Sequence, residues 1–93
     1  MARTAAKRYA VSLTPSAERD LKGIKDRAAL RRLGTAIDSL ATNPRPPNVE
    51  QLSGAHLRAY RIRVGDYRIL YTVDDKEVMV TVVRVGHRRE VYR

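Results

Sequence analysis

The sequence predicts a single small α+β domain with the element order β-α-α-β-β-β, in which an antiparallel sheet packs on a helical hairpin. Residues 8–13 alternate apolar and polar side chains, which is typical of a half-buried strand. Apolar residues then recur at helical spacing over residues 15–41, and alternation returns on both sides of Gly65-Asp66. One core is sufficient for this length, so we expect one domain over residues 1–93, with residues 1–7 as a flexible arm.

The composition is strongly basic. Nineteen Lys and Arg residues against ten Asp and Glu give a net charge of +9, and fifteen of the nineteen are arginine. This favours nucleic acid or an acidic protein as a partner. No apolar run approaches the roughly 18 residues of a membrane span, so no membrane association is expected. The absence of cysteine, with only two distant histidines, predicts no metal and no other cofactor, and it fits a cytoplasmic location.

The helical region has a clear start and stop. Thr14-Pro15 combines an N-cap hydroxyl with proline at the first helical position, and Asn43-Pro44 ends the region. Between them, Asp26 can cap a second helix, so we expect either a helical hairpin that breaks near Gly23 or one long bent helix. Arginines of the second helix are expected on a solvated face: Arg27, Arg31 and Arg32.

Residues 60–71 form the most informative segment. Two alternating runs are joined by Gly65-Asp66, a pair typical of a two-residue hairpin turn. With that turn, Tyr60 faces Tyr71 and Ile62 faces Ile69, and a slip by one residue would mix the two faces. One face then carries the apolar residues Tyr60, Ile62, Val64, Tyr67, Ile69 and Tyr71. The opposite face carries Arg61, Arg63 and Arg68.

This register has an electrostatic cost. Arg63 lies directly opposite Arg68, and such a like-charge pair destabilises a sheet by roughly 0.2–1 kcal/mol. Nothing acidic in the hairpin lies on that face, since Asp66 is in the turn. The arginines form either a solvated basic face or an anion site, because a guanidinium offers a rigid fork of donors that matches phosphate.

The last strand is apolar on both faces over residues 78–85, as expected for a central strand. Continuing the hairpin register places Val80 opposite Tyr71 and Val82 opposite Ile69. Gly86 is then expected to break the strand.

Side-chain parity matters for the arginines that follow. Arg84 is expected on the face of Val80 and Val82. Arg88 reaches the face of Arg68 only if Gly86 introduces a bulge or a turn.

The hairpin sequence, the preceding strand and two helices, and the terminal segment from Val85 to Tyr92 together resemble the RelE/ParE toxin superfamily. The resemblance covers residues 8–93. It implies a toxin of a type II toxin–antitoxin system. The RelE-like branch cleaves mRNA in the ribosomal A site, whereas the ParE branch inhibits DNA gyrase and lacks the nuclease residues.

The resemblance also implies a site. Its basic residues on the two hairpin strands correspond to Arg61, Arg63 and Arg68, and the C-terminal arginine and tyrosine correspond to Arg88 and Tyr92. The implied chemistry is metal-independent attack of the ribose 2′-hydroxyl on its own 3′-phosphate. Tyr92 would accept the 2′-proton, with His87 as a rival for that role, since histidine titrates near neutrality. RNA would be bound by Arg61, Arg63, Arg68, Arg88 and Arg89.

The implied partners are a cognate antitoxin, in a toxin–antitoxin hetero-oligomer, and the ribosome with mRNA in its A site. Two alternatives are also compatible with the sequence. One is a ParE-like gyrase inhibitor, and the other is a non-catalytic toxin whose basic face only binds an acidic partner or DNA.

Overall fold

The computed structural model describes residues 8–52 and 59–87. Two helices and five strands follow one another in this part of the chain: β1 (Ala10–Leu13), α1 (Pro15–Lys22), α2 (Arg27–Ser39), β2 (Glu50–Leu52), β3 (Ala59–Val64), β4 (Tyr67–Asp74) and β5 (Met79–His87). The α+β class and the helical hairpin are therefore confirmed. The expected arm at residues 1–7 lies outside the described residues.

Both helices begin at side-chain caps that the sequence indicates. Thr14 is the N-cap of α1, and its Oγ1 accepts a hydrogen bond from Ala17 N at 3.1 Å. Asp26 caps α2 by accepting from the Ala28 and Ala29 amides at 3.0 and 3.1 Å. The chain therefore breaks between two helices rather than running as one bent helix. Within residues 8–52 and 59–87, neither helix has the length and apolar content needed to cross a bilayer.

The sheet is mixed, which corrects the expected antiparallel arrangement. Its strand order is β1-β5-β4-β3-β2, and β1 runs parallel to β5 while all other pairs are antiparallel. Alternation reports which face of a strand is buried but not the direction of a partner distant in the chain. The additional strand, β2, has only three residues, which is too short for a periodic signal.

The hairpin of β3 and β4 has the predicted register. Tyr60 lies opposite Tyr71, Ile62 opposite Ile69, and Arg63 opposite Arg68. The apolar face packs against the helices to form the core. Its most deeply buried members are Tyr60, Ile62, Ile69, Tyr71, Val73, Val80, Val82 and Val85 from the sheet, with Ala17, Leu33, Ile37 and Leu40 from the helical region.

The register between β4 and β5 differs from the predicted one. Tyr71 lies opposite Val82 rather than Val80. The reason is the turn between the two strands. It includes Val78, which has a φ of 54°, so the first paired residues are Asp74 and Met79. A valine in the left-handed region is rare, and the turn signal was therefore not visible in an apolar run.

A β-bulge shifts the register again. It lies between Leu70 and Tyr71, where Val83 of β5 has no opposing residue, and beyond it Ile69 faces Val85 rather than Val82. The Val83 carbonyl accepts a hydrogen bond from Thr14 Oγ1 at 2.7 Å. The hydroxyl that caps α1 therefore also anchors the bulge.

The bulge changes the parity of the end of β5. Arg84 faces Leu70 and Gly86 faces Arg68, so both have the parity of the arginine face. The expected position of Arg84 on the core face is therefore wrong, as is the expected break at Gly86, because β5 continues to His87. The extra residue that alters the parity is Val83 rather than Gly86.

Beyond the end of β1, a backbone N–H of β5 donates to a carboxylate of α1 instead of to a neighbouring strand. Asp20 Oδ2 accepts hydrogen bonds from Val85 N at 2.9 Å and from Arg84 Nε at 2.8 Å. Burial raises the pKa of Asp20, but these hydrogen bonds outweigh it, so the net pKa is lowered.

The connector between α2 and β2 is fixed by two tyrosine hydroxyls at the far end of the hairpin. Tyr71 Oη donates to Pro44 O at 2.7 Å, and Arg45 Nε donates to Tyr60 Oη at 2.8 Å. Arg45 also forms an ion pair with Asp75 at 2.8 Å. These contacts hold the chain that leads into β2. In turn, β2 supplies one wall of a cavity lined by the hairpin arginines.

Candidate functional site

Three arginines of the hairpin line one cavity on the outer face of the sheet. The cavity has a volume of about 420 Å³, and we call it the arginine cavity. Its lining residues are Asn48, Glu50, Arg61, Arg63, Gly65 and Arg68. Arg61, Arg63 and Arg68 share this face because β3 and β4 pair in the predicted register. The strand alternation thus brings together the three predicted site residues that belong to the hairpin.

Arg68 forms the buried base of the cavity. It is only 7% exposed, because β4 has a neighbouring strand on each side. On one side it faces Arg63 and on the other Gly86, whose missing side chain leaves room beside the arginine stem. A guanidinium that remains charged in such a position has little conformational freedom, so its direction is set by the sheet.

Arg61 forms an ion pair with a carboxylate that the sequence pattern did not predict. Glu50 of β2 lies opposite Arg61, and its Oε1 accepts from Arg61 Nη2 at 2.8 Å and from Nε at 3.2 Å. The Arg61 side chain is 14% exposed, whereas that of Glu50 is 62% exposed. The expectation that no acid lies on this face therefore holds for the hairpin but not for the sheet. The only signal was the segment Glu-Gln-Leu, which is too short to assign as a strand.

Arg63 is the exposed cation of the cavity. It lies at the rim beside Gly65 and forms no ion pair with any residue in the described ranges 8–52 and 59–87. Unlike that of Arg61, its guanidinium can therefore move toward an incoming anion without leaving an internal carboxylate.

The structure does not bring His87 to the arginine cavity. His87 lies opposite Tyr67 on the helical side of the sheet, where the two rings meet edge to face with centroids 5.8 Å apart. There it lines a separate cavity of about 630 Å³ beside the C-terminal end of α1. Residues lining that cavity include Arg19, Asp20, Lys25 and Asp26.

The remaining predicted site residues, Arg88, Arg89 and Tyr92, lie outside the described residues. The tyrosines of the hairpin are core residues: Tyr60 and Tyr71 are buried, and their rings stack 5.6 Å apart on the helical side. They are not available as stacking surfaces for bases at the arginine cavity.

The arginine cavity has the chemistry of an anion site. Three permanently cationic forks line one space, and within residues 8–52 and 59–87 Glu50 forms an ion pair with one of them, Arg61. Such forks bind phosphate oxygens through paired, charge-assisted hydrogen bonds. They also stabilise charge that develops on phosphate oxygens during a displacement reaction, which is usually the largest contribution to catalysis at a site of this kind.

Comparison with known proteins agrees with this fold and with the resemblance noted in the sequence. The family described as the ParE toxin of the type II toxin-antitoxin system, parDE, matches residues 11–92. Toxin RelG of Mycobacterium tuberculosis is 33% identical over 88 residues, which are 91% of this chain and 97% of that protein. Toxin RelE of the same organism is 31% identical, with 91% of this chain and 87% of that protein covered.

Among solved structures, the archaeal RelE–RelB complex from Pyrococcus horikoshii contains a similar chain. The TM-score is 0.78 at 29% identity, and the match covers 89% of this chain and 98% of the other. The family match spans far more than half of the chain, and the fold agrees with it. This chain therefore belongs to the RelE/ParE family of type II toxin–antitoxin toxins.

Proposed function

We propose that the protein is a ribosome-dependent mRNA endonuclease and that its arginine cavity binds the scissile phosphate. One observation carries the proposal: Arg61, Arg63 and Arg68 line a single cavity on the outer face of the sheet. A like-charge cluster destabilises a sheet, so an arrangement that keeps it is best explained by an anionic ligand. Two similar proteins are named RelE and RelG toxins, which favours the RelE-like activity.

The three arginines have different surroundings and hence different roles in the proposal. Buried Arg68 supplies a fixed donor at the base of the cavity. Arg61 exchanges its ion pair with Glu50 for the phosphate, and exposed Arg63 contacts the phosphate from the rim. Together they neutralise the charge that grows on the non-bridging oxygens in the transition state.

In the proposed reaction the ribose 2′-oxygen attacks the adjacent phosphorus and the bond from phosphorus to the 5′-oxygen breaks. The products are a 2′,3′-cyclic phosphate and a free 5′-hydroxyl. Tyr92, as the phenolate, accepts the 2′-proton. Arg88 stabilises the departing 5′-oxygen, which takes a proton from water to give the 5′-hydroxyl, and Arg89 binds a neighbouring phosphate. The position of His87 beside Tyr67, on the helical side of the sheet, favours Tyr92 over His87 as the proton acceptor.

The proposal includes a cognate antitoxin, the ribosome and mRNA as partners, acting in the cytoplasm. The similar Pyrococcus chain is in a RelE–RelB complex, which supports an antitoxin partner and a hetero-oligomer here. Ribosome dependence follows from the sparse acid–base chemistry of the site. With few proton-transfer groups available, the rate depends on a substrate held in a reactive geometry, and the A site supplies that geometry.

The first prediction concerns Arg63→Ala. This variant keeps the fold, since Arg63 is exposed, but it removes one donor from the phosphate. We expect cleavage of translated mRNA to fall about 10²-fold, the usual effect of losing one such donor. The measurement is primer extension on message from a cell-free translation reaction. Arg19→Ala, which removes an exposed arginine of α1, is the matched control and should cut like the wild-type chain.

A second candidate function is inhibition of DNA gyrase, because the matching family description names a parDE toxin. The same experiment separates the two. Codon-positioned breaks that weaken in Arg63→Ala support the nuclease. Intact message together with inhibited gyrase supercoiling would support the ParE-like activity, and would leave the arginine cavity as a binding surface only.

A further inference from the structure

A second basic surface meets the arginine cavity at the hairpin turn. Gly65 lines the cavity and has a φ of 60°, a conformation that favours glycine. From the helical layer, Arg32 of α2 reaches the same residue. Its Nη2 lies 3.6 Å, and its Cζ 3.9 Å, from the position that a Cβ on Gly65 would occupy. A guanidinium of α2 therefore lies directly against the turn whose other side borders Arg63 and Arg68.

This surface is basic, although Asp66 of the hairpin turn adjoins Gly65. Arg31 and Arg32 are exposed, and neither forms an ion pair in the part of the chain that the structure describes. The first turn of α2 contains no acidic residue. A shallow depression of about 420 Å³ lies along this helix. Its lining is Arg31, Arg32, Thr35, Ala36 and Ser39.

Together, the arginine cavity, Gly65 and the α2 depression form a continuous basic path around the tip of the hairpin. Arg31 and Arg32 are two exposed cations with no ion pair among residues 8–52 and 59–87. Next to a site for one phosphate, they are complementary to a polyanion rather than to a single small anion. The hydroxyl of exposed Thr35 adds a donor for a phosphate or ribose oxygen.

We propose that this path binds single-stranded RNA, with Arg31 and Arg32 contacting the phosphates next to the one held in the arginine cavity. The inference rests on the proposed function, which places one phosphate in the arginine cavity. It adds the course that the neighbouring nucleotides follow over the protein surface. The RNA passes from Arg61, Arg63 and Arg68 over the Gly65 turn and onto α2. These contacts are to the backbone only and carry no sequence preference.

The test measures binding of a 2′-O-methyl oligoribonucleotide, which cannot be cleaved, by fluorescence anisotropy between 0.05 and 0.5 M NaCl, roughly the range in which counterion release dominates. Each lost phosphate contact on a single strand lowers the slope of log K against log salt by about 0.7. We therefore expect Arg31→Ala/Arg32→Ala to reduce the slope by about 1.4 and to weaken binding about 25-fold at 0.1 M. Arg31→Lys/Arg32→Lys should keep the wild-type slope, and Arg19→Ala serves as the control.

The outcomes distinguish this inference from the proposed function. If the double alanine variant keeps the wild-type slope while Arg63→Ala loses about 0.7, the RNA path is wrong and the arginine cavity still binds RNA. If neither variant changes the slope, both proposals fail. If the double alanine variant binds RNA normally but no longer binds an acidic segment of the antitoxin, the surface of α2 recognises protein. The RNA path is then again overturned.

Discussion

Arg63 and Arg68 show how the same residue type acquires two roles from its surroundings. They face each other across β3 and β4, yet Arg68 is 7% exposed while Arg63 is exposed at the rim. Arg68 is flanked by strands on both sides, whereas Arg63 lies near the turn and the short edge strand. A cation that is already dehydrated loses less solvation when an anion binds. Arg68 is therefore suited to holding a bound anion, and Arg63 to attracting one from solvent.

The sequence was sufficient to predict these two positions and insufficient to predict Glu50. Alternation on both sides of Gly65-Asp66 assigns each arginine to a face because a strand has a strict period of two. Glu50 reaches the same face only because β2 pairs with β3, and a three-residue strand has no period to detect.

The second prediction concerns Glu50→Gln. The carboxylate competes with phosphate for Arg61, so its neutralisation should tighten binding of the non-cleavable oligoribonucleotide about threefold to tenfold. The free energy of unfolding should change by less than about 1 kcal/mol, because an ion pair with an exposed partner contributes little. Glu18→Gln, at an exposed acid of α1, is the control for net charge. Weaker binding in Glu50→Gln alone would mean that Glu50 chiefly orients Arg61.

At the level of secondary-structure elements, the bulge in β5 decides which face the end of the strand presents. Without it, Arg84 would take the core parity of Val80 and Val82; with it, Arg84 and Gly86 take the parity of Arg68. The apolar run gives no hint of the bulge. The carbonyl of the bulged residue, Val83, accepts a hydrogen bond from Thr14, which is 69 positions away in sequence.

The third prediction tests that link. Thr14→Ala removes both the N-cap hydrogen bond to Ala17 and the hydrogen bond to Val83 O. We expect it to lower the free energy of unfolding by about 1–2 kcal/mol, whereas Thr14→Ser, which keeps the hydroxyl, should stay within about 0.5 kcal/mol. Urea unfolding followed by circular dichroism measures both. Equal midpoints for Thr14→Ala and the wild-type chain would show that the bulge does not need this anchor.

At the scale of the whole molecule, local signals predicted the elements but not the way in which they assemble. The helix caps at Thr14 and Asp26 and the hairpin register are local, and the structure confirms them. The parallel pairing of β1 with β5 joins the two ends of the chain. The pairing depends on which edge of β5, a strand with two apolar faces, is left without a neighbour. The residues of β1 carry no pattern that specifies this edge.

The fourth prediction concerns alkaline stability. Burial raises the pKa of Tyr71 well above its ordinary value of 10.0. The unfolded chain therefore releases this proton above about pH 10 while the folded chain keeps it, so stability is full below that pH and falls as pH rises. One such proton contributes a slope of about 1.4 kcal/mol per pH unit.

Tyr71→Phe should remove that part of the slope in urea unfolding between about pH 9 and 11.5. It will also lower stability at neutral pH, because the hydrogen bond to Pro44 O is lost. Tyr67→Phe, at a half-buried position of the same strand, is the control. An unchanged alkaline slope in Tyr71→Phe would assign the loss of stability to other groups.

Binding of RNA phosphate in the arginine cavity can be followed through the arginine Nε–Hε resonances in an NMR titration with the 2′-O-methyl oligoribonucleotide. We expect the signals of Arg61, Arg63 and Arg68 to shift together and to saturate at one affinity, while that of Arg19 stays in place. Saturable shifts confined to Arg19 and the cavity beside His87, with the three hairpin arginines unmoved, would contradict it.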